Sequence, residues 1–134
     1  MRVAKIQLTV VNRLDEISCV SREITSDQVR QVTLPEVRIN PMVTFFGLPT
    51  SKIAELGLTV LREVMSNDKD GIKPMRVFQD AKIFLGDRVG VFQCLELPEG
   101  NLPMLGRIPM LELGLGVDSL TNELVLLPEP HYRS

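Results

Sequence analysis

The sequence predicts a mainly β domain with one or two short helices, folded as a small closed or partly closed barrel. Several segments alternate polar and apolar residues at period two, which is typical of strands buried on one side. Turn pairs such as Asp70-Gly71 and Gly86-Asp87 separate these segments, and only two short stretches carry helix signals. A chain of 134 residues with an apolar fraction of 44% is one domain with a sizeable core.

The first third of the chain contains two predicted strands. Residues 3–11 alternate at period two. Residues 29–39 do the same, and Pro35 indicates an edge or a bulge because proline donates no ladder hydrogen bond. Residues 12–27 are polar and charged, which favours a loop or an elaborated hairpin.

The middle of the chain predicts a short helix and then a hairpin. Thr50-Ser51 offers an N-cap, and Gly57 stands where a helix ends in the left-handed conformation. Residues 61–77 predict a hairpin whose tip, residues 66–71, is polar. Two further strands are expected, at 77–85 and 89–97.

The last part of the chain predicts a second short helix and a final turn. After a loop at 98–101, residues 109–113 form the helix, which Gly114 ends. Val117 and residues 124–126 bracket a tight turn. We expect residues 1–127 to be the domain and residues 128–134 to be a flexible tail.

Composition excludes several classes of function. With 15 basic and 17 acidic residues there is no basic block, so nucleic acid is not an expected partner. No apolar run approaches the ~20 residues of a membrane span, and residues 1–8 alternate polar and apolar residues, so no signal peptide is expected. Cys19 and Cys94 are expected to be free thiols, which favours a cytoplasmic location.

Other catalytic and metal chemistries lack their residues. The single histidine, His131, lies in the tail, so a Ser-His or Cys-His nucleophile has no well-placed base. Gly114-Leu115-Gly116 lacks the strand–turn–helix context of a phosphate-binding loop. Asp68 and Asp70 are interpreted as a solvated turn rather than as metal ligands, so no metal and no cofactor are expected.

Two separated segments carry a resemblance to a known family. Residues 38–48 contain Ile39-Asn40-Pro41-Met42-Val43-Thr44, and Leu48-Pro49 opens the helix that follows. Residues 104–111 contain two apolar residues, Gly106, Arg107 and an apolar helix, before the Leu-Gly-Leu-Gly-Val exit at residues 113–117. In this order they resemble the retropepsin-like (clan AA) aspartic peptidases, of the prokaryotic and cyanobacterial type, over about residues 3–127.

The resemblance implies a β-barrel protomer that works as a homodimer. In the family each protomer lends one aspartate to a shared site, and a hairpin flap folds over the bound peptide. The two aspartates share one proton, so that one acts as base on water and the other as acid. Carried over by position, Asn40 takes the place of the aspartate, Pro41 of the threonine and Met42 of the glycine.

These three departures predict a catalytically inactive homologue. An amide cannot ionise, so Asn40 neither takes a proton from water nor supplies one as an acid. Pro41 removes a hydroxyl and a backbone N–H, and Met42 puts a flexible side chain where the family has glycine. We therefore expect a dimeric module that binds an extended peptide or protein partner. Its expected flap and groove residues are Asp68, Lys69, Asp70, Gly71, Leu105 and Gly106.

Three alternatives stay open. An active aspartic endopeptidase would use an unrecognised carboxylate, for which Asp80, Asp87 and Asp118 are candidates. A structural subunit would use the dimer surface within a larger assembly. An accidental match would make residues 40–42 a plain Asn-Pro turn, with Met42 in the core.

Overall fold

The computed structural model describes residues 2–68, 71–118, 120–121 and 123–128, and it confirms a mainly β fold with short helices. One sheet has nine strands and a second has two. The strands are β1 (Arg2–Ala4), β2 (Leu8–Asn12), β3 (Gln31–Leu34), β4 (Val37–Ile39), β5 (Phe46–Pro49), β6 (Thr59–Asp68), β7 (Gly71–Leu85), β8 (Arg88–Leu97), β9 (Met104–Leu105), β10 (Leu115–Val117) and β11 (Leu124–Leu126).

The large sheet curls into a partly closed barrel. The strand order is β1-β4-β9-β5-β8-β7-β2-β3, so β1 and β3 lie at opposite ends. Yet β1 leads into β2 through residues 5–7, and β3 leads into β4 through Pro35 and Glu36. Because the four Cα–Cα steps from Ala4 to Leu8 span at most about 14 Å, the two ends of the sheet must lie close together. Each predicted N-terminal strand is therefore two strands with a corner between them.

The predicted loop at residues 12–27 is wrong, because it contains a helix, α1 (Arg13–Val20), and a 3₁₀ turn at Ser26–Gln28. No side chain of α1 is buried, and its apolar residues Leu14, Ile17 and Val20 are exposed although they recur at every third position. Its signal lies at the start: Asn12 caps the helix, and Asp15 and Glu16 lie in the first turn, where acidic residues are favoured.

The two predicted helices are present with small differences at their starts. Helix α2 (Thr50–Leu56) begins after Pro49 and ends at Gly57, whose φ of 64° is left-handed. The hydroxyls of Thr50 and Ser51 do not cap it; they donate to Glu96 and Glu99. Helix α3 (Arg107–Glu112) begins two residues earlier than predicted.

The predicted hairpin is longer than expected, because β7 continues without a break from Gly71 to Leu85. Its ladder with β6 extends to the pair Asp68 and Gly71, and residues 69 and 70 lie outside the described part of the chain. The turn at Gly86-Asp87 is confirmed, since Leu85 pairs directly with Arg88. The final hairpin pairs β10 with β11, and residues 129–134 of the expected tail also lie outside the described part.

The core fills the inside of the barrel with aliphatic and aromatic side chains. Phe46, Ile39 and Leu105 are fully buried there. Cys94 is buried among them, and both cysteines are free thiols. Burial raises the pKa of the Cys94 thiol, so it behaves as a small apolar side chain. Within the described ranges, no helix is long and apolar enough to cross a membrane.

The buried side chain of Asn12 joins three elements. Its Oδ1 accepts a hydrogen bond from the N–H of Asp15 at 2.9 Å, which caps α1. Its Nδ2 donates to the carbonyl of Leu56 at 2.7 Å, at the end of α2. Asn12 itself is the last residue of β2 and is only 4% exposed. One amide thus satisfies polar groups at the ends of two helices and holds both against the sheet.

Replacing Asn12→Ala should lower the free energy of unfolding by about 2 to 3 kcal/mol, because it removes a cap and leaves a buried carbonyl without its donor. Urea denaturation followed by circular dichroism measures this. The matched control is Asn67→Ala on the exposed part of β6, which should change stability by less than about 0.5 kcal/mol. Equal losses in the two variants would contradict the role given to Asn12.

Candidate functional site

The fold brings together the two segments that the sequence singled out. Strand β9 lies between β4 and β5, parallel to the first and antiparallel to the second. Ile39 and Phe46 both pair with Leu105 across these ladders. The segment that joins β4 to β5, residues 40–45, is the candidate loop, and it crosses over the end of β9.

Backbone hydrogen bonds fasten the candidate loop to the start of α3. The N–H groups of Gly106 and Arg107 donate to the carbonyls of Phe45 and Val43 at 2.9 and 2.7 Å. The N–H of Ile108 donates to the carbonyl of Thr44 at 3.3 Å. These N–H groups have no partner within their own helix, so the loop carbonyls satisfy the first turn of α3.

Gly106 is required at this crossing because no side chain fits there. A Cβ on Gly106 would lie 2.7 Å from the carbonyl oxygen of Val43 and 2.8 Å from the carbonyl carbon of Thr44, and it would also collide with the carbonyl oxygen of Phe45. All three are backbone atoms that cannot rotate away. The φ of Gly106 is −88°, so glycine is required here because there is no room for a side chain and not because the backbone conformation is unusual.

Asn40 organises the apex of the candidate loop, which is residues 40–42. Its N–H donates to the carbonyl of Leu105 at 3.1 Å, and its carbonyl accepts from the N–H of Val43 at 3.1 Å. Its side-chain Oδ1 accepts from the N–H of Met42 at 3.1 Å, which closes an Asx turn. Pro41 is exposed and Met42 is 89% exposed, so the alternative that puts Met42 in the core is wrong.

The apex holds polar groups but no acid or base. The Oδ1 of Asn40 is committed to Met42, and the amide does not titrate. Among the described residues, no carboxylate hydrogen-bonds to residues 40–42. The described part of the chain also contains no cluster of three or more side chains that could hold a metal ion.

The three alternative carboxylates lie on separate elements. The Oδ1 of Asp118 accepts from the N–H groups of Leu120 and Thr121 at 2.8 and 3.2 Å, and these bonds hold the pKa of Asp118 below its ordinary value. Asp87 is exposed in the turn between β7 and β8, and Asp80 lies in an irregular part of β7. No described hydrogen bond joins any two of these carboxylates.

The expected flap and groove residues have different positions. Leu105 is fully buried and belongs to the core, so its side chain does not line an open surface of this chain. Gly106 is buried under the candidate loop. Gly71 is exposed beside the hairpin tip, with a φ of 106° that suits glycine. Lys69, Asp70 and the side chain of Asp68 lie outside what the structure describes.

An apolar cavity of about 220 Å³ lies beside the candidate loop and was not predicted from the sequence. Phe45 of the loop, Val91 of β8 and Ile108 of α3 contribute to its walls, with Thr44 and Gln93 as polar groups. The sequence signal is the Phe45-Phe46 pair: Phe46 is fully buried and Phe45 is half-buried. Period two places them on opposite faces of the sheet, but only the fold brings Val91 and Ile108 beside Phe45.

Comparisons with known proteins find similarity among solved structures. No family model matches the chain, and no curated protein matches it. Among solved structures, the chain is similar to EIAV protease complexed with the inhibitor HBY-793, with a TM-score of 0.48 and 14% sequence identity. That alignment covers 80% of this chain and 85% of the protease chain. These comparisons do not assign the chain to a family.

Replacing Gly106→Ala should cost about 3 kcal/mol or more of stability, because a methyl group there meets fixed backbone atoms. The matched control is Gly116→Ala, whose methyl group would meet only the Leu127 side chain at 3.2 Å and should cost less than about 1 kcal/mol. Thermal and urea unfolding of both variants provide the measurement. A Gly106→Ala protein as stable as Gly116→Ala would mean that the loop does not close tightly over β9.

Proposed function

We propose that this protein is a retropepsin-like aspartic protease homologue that has lost hydrolysis and acts as a dimeric peptide-binding or scaffolding module. The observation that carries the proposal is the candidate loop. Its backbone is fastened across Gly106 next to α3, while Asn40, Pro41 and Met42 occupy its apex. We place the domain at residues 1–127 and the protein in the cytoplasm.

The chemistry of the apex supports the loss of hydrolysis. Aspartic proteases need a carboxylate that takes a proton from water and a second carboxyl that holds one. Asn40 offers an amide whose oxygen accepts a backbone N–H, and a symmetric dimer would bring two such amides together. Asp118 accepts backbone hydrogen bonds that lower its pKa, and it serves as a turn cap.

Exposure of apolar side chains supports a dimer. Met42 at the apex is 89% exposed and Leu120 is 93% exposed, while Leu126 of the last hairpin is 60% exposed. Side chains of this size are costly to leave in water, and a partner would cover them. The family resemblance puts the apex of the loop at a two-fold axis, where a second copy would bury Met42 against its own symmetry mate.

The free edge of β6 supports an extended peptide as ligand. In the described part of the chain, β6 pairs only with β7 and presents its other edge unpaired along residues 59–68. An added strand would satisfy these backbone groups. The exposed side chains of Met65 and Ile72 on the same hairpin would contribute apolar contacts.

Binding without cleavage tests the proposal directly. A library of extended peptides should contain sequences that bind the protein between about pH 3 and 7 and that remain intact after long incubation. Cleavage that disappears in Asp80→Asn, Asp87→Asn or Asp118→Asn would establish the active-peptidase alternative instead. A protein that binds no peptide but purifies with a stoichiometric partner would favour the structural subunit.

Restoring the family residues should restore the chemistry. The triple variant Asn40→Asp, Pro41→Thr and Met42→Gly rebuilds a pair of carboxyls across the dimer axis, and we expect peptide cleavage with an acidic optimum and inhibition by transition-state analogues. The control is Asn40→Ala with the same Pro41→Thr and Met42→Gly changes, which should be inert. A triple variant that is folded and dimeric but inactive on the whole library would count against the alignment of the apex with a catalytic loop.

A further inference from the structure

The outer part of the long hairpin stands beyond the barrel with little packing of its own. We call residues 62–68 and 71–76 the distal hairpin. Strand β7 pairs with β8 only from Val77 onwards, so the distal hairpin is a ribbon of two strands. No described side chain in it is buried. A two-stranded ribbon has marginal stability in water, so its orientation depends on contacts at its base.

Two arginines tie the base of the distal hairpin to the same strand, β8. The guanidinium of Arg76 donates from Nε and Nη2 to the two carboxylate oxygens of Glu96, at 2.8 Å each. The guanidinium of Arg62 donates from Nη1 to Oε1 of Gln93 at 2.9 Å. Both contacts join a ribbon strand to a strand held inside the barrel sheet.

The Arg62–Gln93 and Arg76–Glu96 contacts lie on opposite faces of the ribbon. Arg62 is directly opposite Val77 in the ladder and shares its face, whereas Arg76 precedes Val77 and lies on the other face. On β8, Leu95 pairs with Val77. Gln93 lies on the same face as Leu95, whereas Glu96 lies on the other face. Swinging the ribbon toward either face therefore stretches one of the two contacts.

Glu96 is the centre of the stronger tie. It also accepts a hydrogen bond from the hydroxyl of Thr50 at 3.0 Å, so it connects β7, β8 and the start of α2. Its side chain is only 16% exposed, whereas that of Arg76 is 51% exposed. The guanidinium of Arg76 also lies 5.3 Å from the centre of the Phe78 ring, which limits its freedom.

The charges around Glu96 favour its ionised form. Arg76 faces it from β7 and Thr50 from α2, while Lys73 of β7 lines the same cavity of about 290 Å³. Glu63 lies opposite Arg76 in the ladder and acts on that guanidinium. The bidentate bonds from Arg76 hold the pKa of Glu96 below its ordinary value.

We infer that Glu96 is a latch that fixes the angle of the distal hairpin over the barrel, and that protonation of its carboxylate releases the hairpin. The latch is a property of this chain alone and does not rest on the proposed function. Because the pKa of Glu96 is lower in the latched state, the latch is fully present above the ordinary pKa of about 4.3 and is lost as the pH falls through the lowered value. We therefore expect acid to free the ribbon.

Hydrogen exchange measured by mass spectrometry tests the latch in the full chain. Glu96→Gln keeps the shape of the side chain but removes the charge, and it should raise exchange in the distal hairpin about three- to tenfold at neutral pH while leaving β2 and β10 unchanged. Wild type should show the same rise when the pH is lowered to about 3, after correction for intrinsic rates, and Glu96→Gln should show no further rise.

The matched control is Glu99→Gln, which removes a nearby exposed carboxylate that bonds Ser51 and not the hairpin. It should leave exchange in the distal hairpin unchanged. If Glu96→Gln fails to fold, Thr50→Val removes one bond to Glu96 and should give a smaller increase in the same segment. Equal exchange in wild type, Glu99→Gln and the latch variants, or a rise spread evenly over the chain, would overturn the inference.

Discussion

The close crossing of the candidate loop over Gly106 is the contact on which the site depends. Strand β9 has only two residues, yet it joins β4 to β5 and places the start of α3 under the loop. Since the first turn of α3 takes its hydrogen-bond acceptors from the loop, the helix and the loop hold each other in place. A side chain at Gly106 would separate them, and the apex formed by Asn40 would lose its support.

Polar side chains fix the places where elements meet, while apolar packing fills the barrel. Asn12 joins α1, α2 and β2, and Glu96 of β8 joins α2 to β7. Arg88 does the same at the other end of the chain, where it donates to the carbonyls of Leu113, Gly114 and Leu127. Apolar packing carries no direction, so these directional bonds decide how each helix and hairpin is oriented on the barrel.

At the apex of the candidate loop, the course of the backbone does not depend on ionisable side chains. The candidate loop needs hydrogen-bond donors for its backbone carbonyls and a glycine, Gly106, beneath it. Both conditions hold without any acidic residue. The Oδ1 of Asn40 accepts the hydrogen bond that closes the turn, and the amide does not ionise. The course of the loop and the ionisation of its side chains therefore depend on different atoms.

The sequence by itself determined the long strand segments, the turn at Gly86-Asp87, the end of α2 at Gly57 and the absence of an acid at the apex, because each follows from local residue type and spacing. It did not give the corners that divide the two N-terminal segments, nor the short strands β5 and β9. It did not give α1, because residues 12–27 are rich in polar and charged residues and the helix buries no side chain against the core. Only the tertiary structure decided that Leu105 is core, that Met42 is exposed, and that Phe45, Val91 and Ile108 share a cavity. The latch at Glu96 also needed the fold, because its partners Thr50 and Arg76 come from distant parts of the chain. Burial and ion pairing depend on which strands become neighbours, and period-two alternation does not specify that order.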